Sequence, residues 1–484
     1  MKYFLTLLLS SLMVITSYAQ ENDYDKMKEL VNEKSIPLVN ISVDIDKVTK
    51  PDYTPASIEI TDPQKRTDGN LVATFKCKVK YRGATSLQYE KKSFAVKLLD
   101  EKGKSLNATI LGIRSDDAWI LDAMAIDRIR MRNRINFDVW NAMSVTPYTT
   151  DYENRNGTKG FFVELFLNGK YHGLYCMSDK VNRKLLGLKK ANDKDKANVT
   201  INGVMYKCDT WGSSAELWGY DEQEMTGEMW NSWSLEYPDD YPCEEAYMPL
   251  KEFIDFCGST DEDFSAGINK ELYLQSFLDY HVFILSQGLR DCNMKNSFLS
   301  IVDKNTDRRM LLTPWDLDCS LGGDWDGQYH DELADNETLL SCRLYYRLWN
   351  MDVDGYKAKV ADRWRTLCNG GILSTEAFNK RVDDYTGLLM ASGAWKREYE
   401  KWNGNPVELK QDLHDEADYV KDWYSRNFNN LNELVFRGIG LDGIKTVTCN
   451  NQNSGQWIFN VMGQQVGKDF KGIVVKNRRK FVVR

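Results

Sequence analysis

Histidine is scarce. Four residues in 484, widely separated, argue against a histidine-built metal centre. Ten cysteines are scattered from Cys77 to Cys449 without one CxxC pair, which disfavours zinc-ribbon chemistry. An excess of positive charge is missing too. Acids and bases are mixed to a net −8, and no basic face speaks for a nucleic-acid partner. After the first 20 residues no apolar run approaches the ~18 residues that a transmembrane helix requires. The G-x₄-G-K-[ST] spacing of a Walker A loop is absent as well.

What is present is ordinary globular composition. The 42% apolar share and the length allow a sizeable core and two or three domains. Met1–Gln20 reads as an export signal: Lys2, the apolar stretch Phe4–Ser17, then the small residues around Ser17-Tyr18-Ala19. With no cysteine near the cleavage point, the expectation is a soluble chain that is periplasmic, cell-surface or secreted.

The chain is organised around Leu289–Gly322. Asp291 is followed five positions later by Asn296, then by two apolar runs joined by a polar turn, then by Asp316 and Asp318 ahead of Gly322. Folded as a hairpin, the two runs bring the loop ends to one rim. Carboxylate and carboxamide oxygens gathered there suit Mg²⁺, which keeps places for phosphate oxygens. Protein kinases use this order: a catalytic Asp, an Asn five residues on that binds metal, and a second metal-binding Asp after the next hairpin. Arg290-Asp291-x₄-Asn296 fits the first half, and Asp316-Leu317-Asp318…Gly322 is a looser match to D-F-G. Each piece alone is also a common turn pattern; their order and spacing carry the reading. Asp303, Asn305 and Asp307 fail as a calcium loop, because Arg308 and Pro314 occupy the positions that need Gly and Glu.

Upstream, Ser35–Asp46, Ala56–Ile60 and Leu71–Tyr81 alternate as half-buried strands do. Tyr81–Ser86 followed by Lys91-Lys92-Ser93…Lys97 is either a phosphate-facing loop with its cations or an ordinary hairpin with a basic strand. Ala118–Met143 is an apolar run continued as a helix, with Arg128, Arg130 and Arg134 on a face expected to be solvated. Asn168-Gly169 between apolar runs is a strong hairpin signal. Leu185–Pro242 is polar, and Trp211, Trp218, Trp230 and Trp233 in it form either a sugar- or peptide-binding face or pins onto the body. His281 lies on the apolar stripe of a helix over Glu271–Gln287 and reads as a packed residue. Helical sequence runs from Arg343 to about Phe436. Ile444–Arg484 then turns to short basic strands.

In this order the motifs resemble the CotH family, the spore-coat-protein-H-like atypical kinases. The stretches that carry the likeness are Tyr81-Arg82-Gly83…Ser86…Lys91-Lys92-Ser93-Phe94, Arg132-Asn133-Arg134, Val163–Gly169…His172–Tyr175, Asp291…Asn296 and Pro314–Asp318…Gly322. The resemblance implies an α+β, kinase-like two-lobed fold over about 35–436, with an N-lobe to about 184, an insertion to about 242 and a C-lobe to 436. It implies ATP, Mg²⁺ or Mn²⁺, and phosphoryl transfer to protein. Asp291 takes the catalytic role, and Asn296 with Asp318 or Asp316 holds metal. Arg82, Lys91, Lys92 and Lys97 stand on the nucleotide side, Lys92 foremost. Asp318 is preferred over Asp316 because a strand through Trp315 would still be paired at 316. Ser178–Arg183 departs from the family pattern, which tends to place Glu before Lys-Val-Asp. The all-β tail over 444–484 resembles, more weakly, the small C-terminal modules of exported Bacteroidetes proteins. The rival reading is a non-catalytic cell-surface binding protein on a kinase-like scaffold, using the Trp-rich segment for surface or glycan contact. A metal-dependent glycan-active enzyme would need an acid/base carboxylate pair that the sequence does not place.

Overall fold

Seven strands close on themselves in the first half of the chain. The computed structural model describes residues 22–195 and 199–438, and beyond them the backbone of four short strands. The expected leader Met1–Gln20 and the expected strand Lys445–Cys449 lie outside the described residues. Clustering of the chain gives two units, Met1–Arg437 and Gly438–Arg484. In the second, β13 (Ile458–Asn460), β14 (Gln465–Val466), β15 (Gly472–Lys476) and β16 (Arg479–Val483) form an antiparallel sheet in the order β14-β13-β15-β16.

In the first unit a short helix α1 (Asp23–Glu29) precedes the barrel. The barrel strands are β1 (Leu38–Val43), β2 (Thr54–Thr61), β3 (Val72–Arg82), β4 (Ser93–Leu99), β5 (Ala118–Asp122), β6 (Gly160–Leu167) and β7 (Lys170–Asp179). They close in the order β1-β2-β3-β4-β5-β7-β6, antiparallel except where β1 runs parallel to β6. The alternation read from the sequence becomes the two faces of the wall. Val39, Ile41, Ile58, Val79, Val96, Leu98, Val163 and Leu165 fill the inside, each contributing about 2 kcal/mol through burial. Lys78, Lys80 and Arg82 alternate onto the other face, with Lys97 opposite Lys78. The β6–β7 turn is Asn168-Gly169, both at positive φ (51° and 77°), as a two-residue hairpin turn demands. The Asn168 amide also donates to the Val43 carbonyl and accepts from the Val43 N–H, so the turn seals the seam at β1.

A second sheet has the order β12-β11-β8-β10-β9, from β8 (Val204–Cys208), β9 (Met229–Trp230), β10 (Trp233–Tyr237), β11 (Ser297–Ile301) and β12 (Leu311–Pro314). β11 and β12 form the expected hairpin, Ser297 opposite Pro314. β8 is a departure. It lies in the stretch read as an irregular insertion, yet it is the central strand, paired on both edges. Trp230 and Trp233 are accordingly core residues, while Trp218 lies on the surface against Tyr346 and donates to the Ser341 carbonyl.

The helices are α2 (Arg132–Met143), α3 (Glu244–Cys257), α4 (Asp261–Glu271), α5 (Leu274–Gln287), α6 (Glu337–Leu340), α7 (Arg343–Asn350), α8 (Tyr356–Asn369), α9 (Thr375–Ala391), α10 (Ala394–Trp402) and α11 (Leu413–Gly438). Among the described residues no helix is long and apolar enough to cross a membrane. His281 on α5 is fully buried between Tyr356 and Asn336, a packed residue as expected. The arginine face read as solvated is not. Arg130 and Arg134 are buried because each meets an acid, Glu398 and Asp138 respectively, while Arg128 is half-buried and donates to the Gly327 and Glu408 carbonyls.

Candidate active site

Each carboxylate of the central stretch is placed by its own backbone device. Helix α5 ends at Gly288, whose left-handed conformation (φ 61°) turns the chain out. A side chain there would meet Trp423 at 2.3 Å, so only glycine fits. The loop that follows returns at Asn296, also at positive φ (59°), whose N–H donates to the Cys208 carbonyl at 3.0 Å. Its carbonyl accepts from Trp315 N–H at 2.8 Å, which fastens the Asn296 loop to the exit of β12. The Asn296 amide donates to Asp291 Oδ2 at 2.9 Å, and Lys295 Nζ donates to the same oxygen at 2.6 Å. Asp291 Oδ1 accepts no hydrogen bond from the described residues. One oxygen of Asp291 is thus anchored and the other is unengaged by the described residues.

Just past β12, Leu317 acts as a peg. It is fully buried, its N–H donates to Asn133 Oδ1, and its carbonyl accepts from Asn136 Nδ2. Pinning the middle residue leaves Asp316 exposed on one side and Asp318 half-buried on the other. Asn133 also donates to Asp122 Oδ2 at 2.9 Å, so α2 ties the end of barrel strand β5 to this segment. That is the work of the Arg132-Asn133-Arg134 stretch. The reason for preferring Asp318 fails: the ladder ends at Pro314, and Asp316 already lies beyond it at φ 56°. Strain of this kind in a polar residue is a mark of functional sites.

Charge is crowded here. Asp316 is open to solvent yet surrounded by protein, as a residue lining a cleft is. Burial raises its carboxyl above the usual carboxylate range, with Asp122 and Asp291 adding to the effect and Lys207 and Arg82 opposing it. Asp318 is raised well above that range, first by burial and then by Asp316, Asp122, Asp127 and Asp291. The cations that face these acids come from two different sheets. Arg82, at the end of β3, lies over the Trp315 ring at 5.3 Å. Lys207 on β8, paired with Asp209, opposes the Asp316 charge from the second sheet, while Lys180, just past β7, pairs with Glu236 of β10 at 3.0 Å and neighbours Arg82. Beside Asp318 a small recess is lined by Asp127, Arg132, Asp324 and Tyr329 among others.

The residues expected on the nucleotide side divide. Arg82 is at the cleft. Lys97 lies farther along the barrel wall, with Lys78 and Lys80 around the Tyr53 ring (5.7, 5.0 and 4.9 Å). Lys92 donates to the carbonyls of Leu87 and Tyr89, closing its own turn. Lys91 does not face the cleft at all. It is 1% exposed, and its ammonium is committed to Glu398 Oε1 (2.6 Å) and the Leu174 carbonyl (2.7 Å). A buried, fully bonded ammonium is a structural member, which corrects the expectation for Lys91.

Oxygen donors remain for a divalent ion. Asn296 Oδ1 and the carboxyls of Asp316 and Asp318 accept no hydrogen bond from the described residues, and the local charge is negative. Among those residues no three His, Cys, Asp or Glu side chains stand together as a finished cage. A mixed set of carboxylate and carboxamide that leaves places for phosphate is what Mg²⁺ takes, so the residues fit the ion.

The arrangement has a counterpart in sequence. The family profile described as "CotH kinase protein" matches residues 79–431, from the second half of β3 to α11. The chain belongs to the CotH kinase family. A search of curated proteins finds no match. The CotH span takes in Arg82, Asp122, Lys180, Lys207, Asp291, Asn296, Asp316 and Asp318, and leaves out β1, β2 and the second unit. Asp122, Lys180 and Lys207 escaped the sequence reading. Lys180 had a signal, since it stands in the Ser178–Arg183 stretch that departs from the family pattern. Lys207 had none, being one lysine in a five-residue strand.

Proposed function

We propose that this CotH-family chain is an exported atypical protein kinase that transfers the γ-phosphoryl group of ATP to protein hydroxyls with Mg²⁺ or Mn²⁺. In this reading the barrel is the N-lobe of a two-lobed catalytic domain, and the second sheet with its helices is the C-lobe. The second unit supplies none of the residues given a role in this reading. One observation carries the reading: Asp291, the Asn296 bonded to it and the Asp316/Asp318 pair share a cleft with cations from two sheets. A binding module has no need of that set.

The residues divide the work. Asp291 offers Oδ1 to the acceptor hydroxyl and aims its oxygen, while Lys295 and Asn296 fix the carboxylate through Oδ2. Asn296 Oδ1, Asp316 and Asp318 would hold the ion, and Asp316 is the more accessible of the two acids. When bound, the ion neutralises phosphate charge and orients the transferring group. Arg82, Lys180 and Lys207 hold phosphate oxygens against the acids, so catalysis is positioning and charge balance rather than covalent chemistry.

Calorimetric titration with ATP tests this. Wild type binds at least about tenfold more tightly with Mg²⁺ than without, an increment typical of one charge-assisted contact. Asp316→Ala loses most of that dependence, and Lys180→Ala weakens binding with or without the ion. Identical isotherms for wild type with and without Mg²⁺ would remove the metal-dependent reading. Loss of the dependence in Asp318→Ala alone would exchange the roles of the two acids.

A further inference from the structure

We infer that Trp211 is the acceptor-docking element of this site: its exposed indole takes an aromatic or aliphatic side chain of a peptide next to the hydroxyl to be phosphorylated. The inference rests on the kinase reading and extends it to the class of acceptor. Four tryptophans lie in the segment between β7 and α3, and the fold gives them different duties. Trp230 and Trp233 are core, and Trp218 is held by Tyr346 and the Ser341 carbonyl. Trp211 is 49% exposed and stacks on no other aromatic ring among the described residues.

A single exposed tryptophan is unremarkable by itself. Its position is what matters. Lys295 Nζ sits 5.3 Å from the centre of the Trp211 ring and 2.6 Å from Asp291 Oδ2. The indole is therefore one side chain away from the carboxylate that would orient the acceptor, with the Lys295 cation on its ring and about half of its surface open. The loop that carries it is built, not slack. It leaves β8 at Cys208, the residue whose carbonyl holds Asn296, and Asp209 N–H donates to the Ser232 carbonyl at 3.0 Å. Gly212 follows at φ 153°, and a Cβ there would meet Ser232 Oγ at 3.0 Å, so the loop is seated against the start of β10. The strand that fixes the Asp291–Asn296 loop thus fixes Trp211 as well. A rigid indole presents a large contact area at little entropic cost. Nearby polar groups are already engaged, Asp209 by Lys207 and Ser234, which leaves the flat apolar face as the feature that selects.

The test uses the full chain and a fluorescent library of short peptides with a central serine, in which each flanking position carries Phe, Leu, Ala or Gly. Binding is followed by anisotropy without nucleotide. Wild type binds peptides with Phe or Leu at one flanking position about fivefold more tightly than the Ala or Gly versions, as a stacked contact provides. Trp211→Ala levels that preference and Trp211→Phe keeps most of it. Trp218→Ala, an exposed tryptophan held elsewhere, keeps all of it. With ATP and Mg²⁺ added, the KM for the preferred peptide rises in Trp211→Ala while the KM for ATP stays constant. The inference is overturned if Trp211→Ala binds the library as wild type does, if no peptide binds, or if soluble oligosaccharides rather than peptides compete at Trp211. A preserved binding preference without any phosphate transfer would support the docking surface and count against the kinase reading instead.

Discussion

Asp291→Asn is expected to lower phosphoryl transfer by at least about a thousandfold, the upper part of the range for loss of a positioned acid–base group, while Mg²⁺-ATP affinity stays within about threefold of wild type. The asymmetry follows from the two oxygens. Oδ2 is taken by Lys295 at 2.6 Å and by Asn296 at 2.9 Å, both donors. An asparagine must keep its carbonyl oxygen toward them, since its NH₂ would face two donors. The NH₂ then occupies the place of Oδ1, where the acceptor hydroxyl needs an acceptor, and the hydroxyl loses its hydrogen bond. That bond matters mainly in the transition state, so turnover falls and ground-state nucleotide binding does not. Steady-state transfer beside calorimetric ATP affinity reads both halves. Near-full turnover in Asp291→Asn would dismantle the reading of the central loop.

The second large effect concerns the frame behind the site. Glu398 on α10 is fully buried and accepts from Lys91 at 2.6 Å, Arg130 at 2.8 Å and Leu174 N–H at 2.7 Å. Gly173 lies so close that a Cβ would stand 2.8 Å from Glu398 Oε2. Glu398→Ala leaves two buried cations without their counter-charge and should cost about 3–5 kcal/mol. Arg130 also donates to the carbonyls of Met124, Ala125 and Asp127, so the loop carrying Asp127 loses its centre post. Burial, more than Glu398 can offset, pulls the Lys91 ammonium down to about 7. Without Glu398 it falls further, and the folded chain then holds Lys91 neutral at pH values where the unfolded chain still binds the proton. The unfolded state binding more protons, stability rises with pH. Wild type gains in the same way only above about 7, so the deficit of Glu398→Ala is largest in acid, shrinks as pH climbs to about 7 and is constant above it. Urea unfolding at pH 5 and pH 9 measures it. A cost under about 1 kcal/mol at both, the worth of an exposed pair, would contradict the assignment.

How much of this could be read in the residues depends on how far apart the partners stand. The Asp291…Asn296 and Asp316…Asp318 pattern was legible because a local hairpin connects it, and β11 and β12 do bring Asn296 and Trp315 into contact. The Asn168-Gly169 turn and the barrel strands were legible because alternation and positive φ are local properties. Lys91 was misread because Glu398, the acid that claims it, is 307 positions away. The same acid, 268 positions from Arg130, hid the burial of that residue, which in the sequence leading into α2 reads as part of a solvated face. β8 was missed because five residues, four of them buried, inside a polar stretch carry no period of their own. The choice between Asp316 and Asp318 rested on where a strand stops, and β12 stops at Pro314.

The most direct measurement is the incubation of purified full chain with γ-labelled ATP and Mg²⁺ or Mn²⁺, followed by separation of protein from nucleotide. Phosphoryl transfer predicts label on the chain or on an added serine peptide, abolished by chelation of the metal and by Asp291→Asn. Folded wild type that binds ATP and transfers no label with either ion would contradict it.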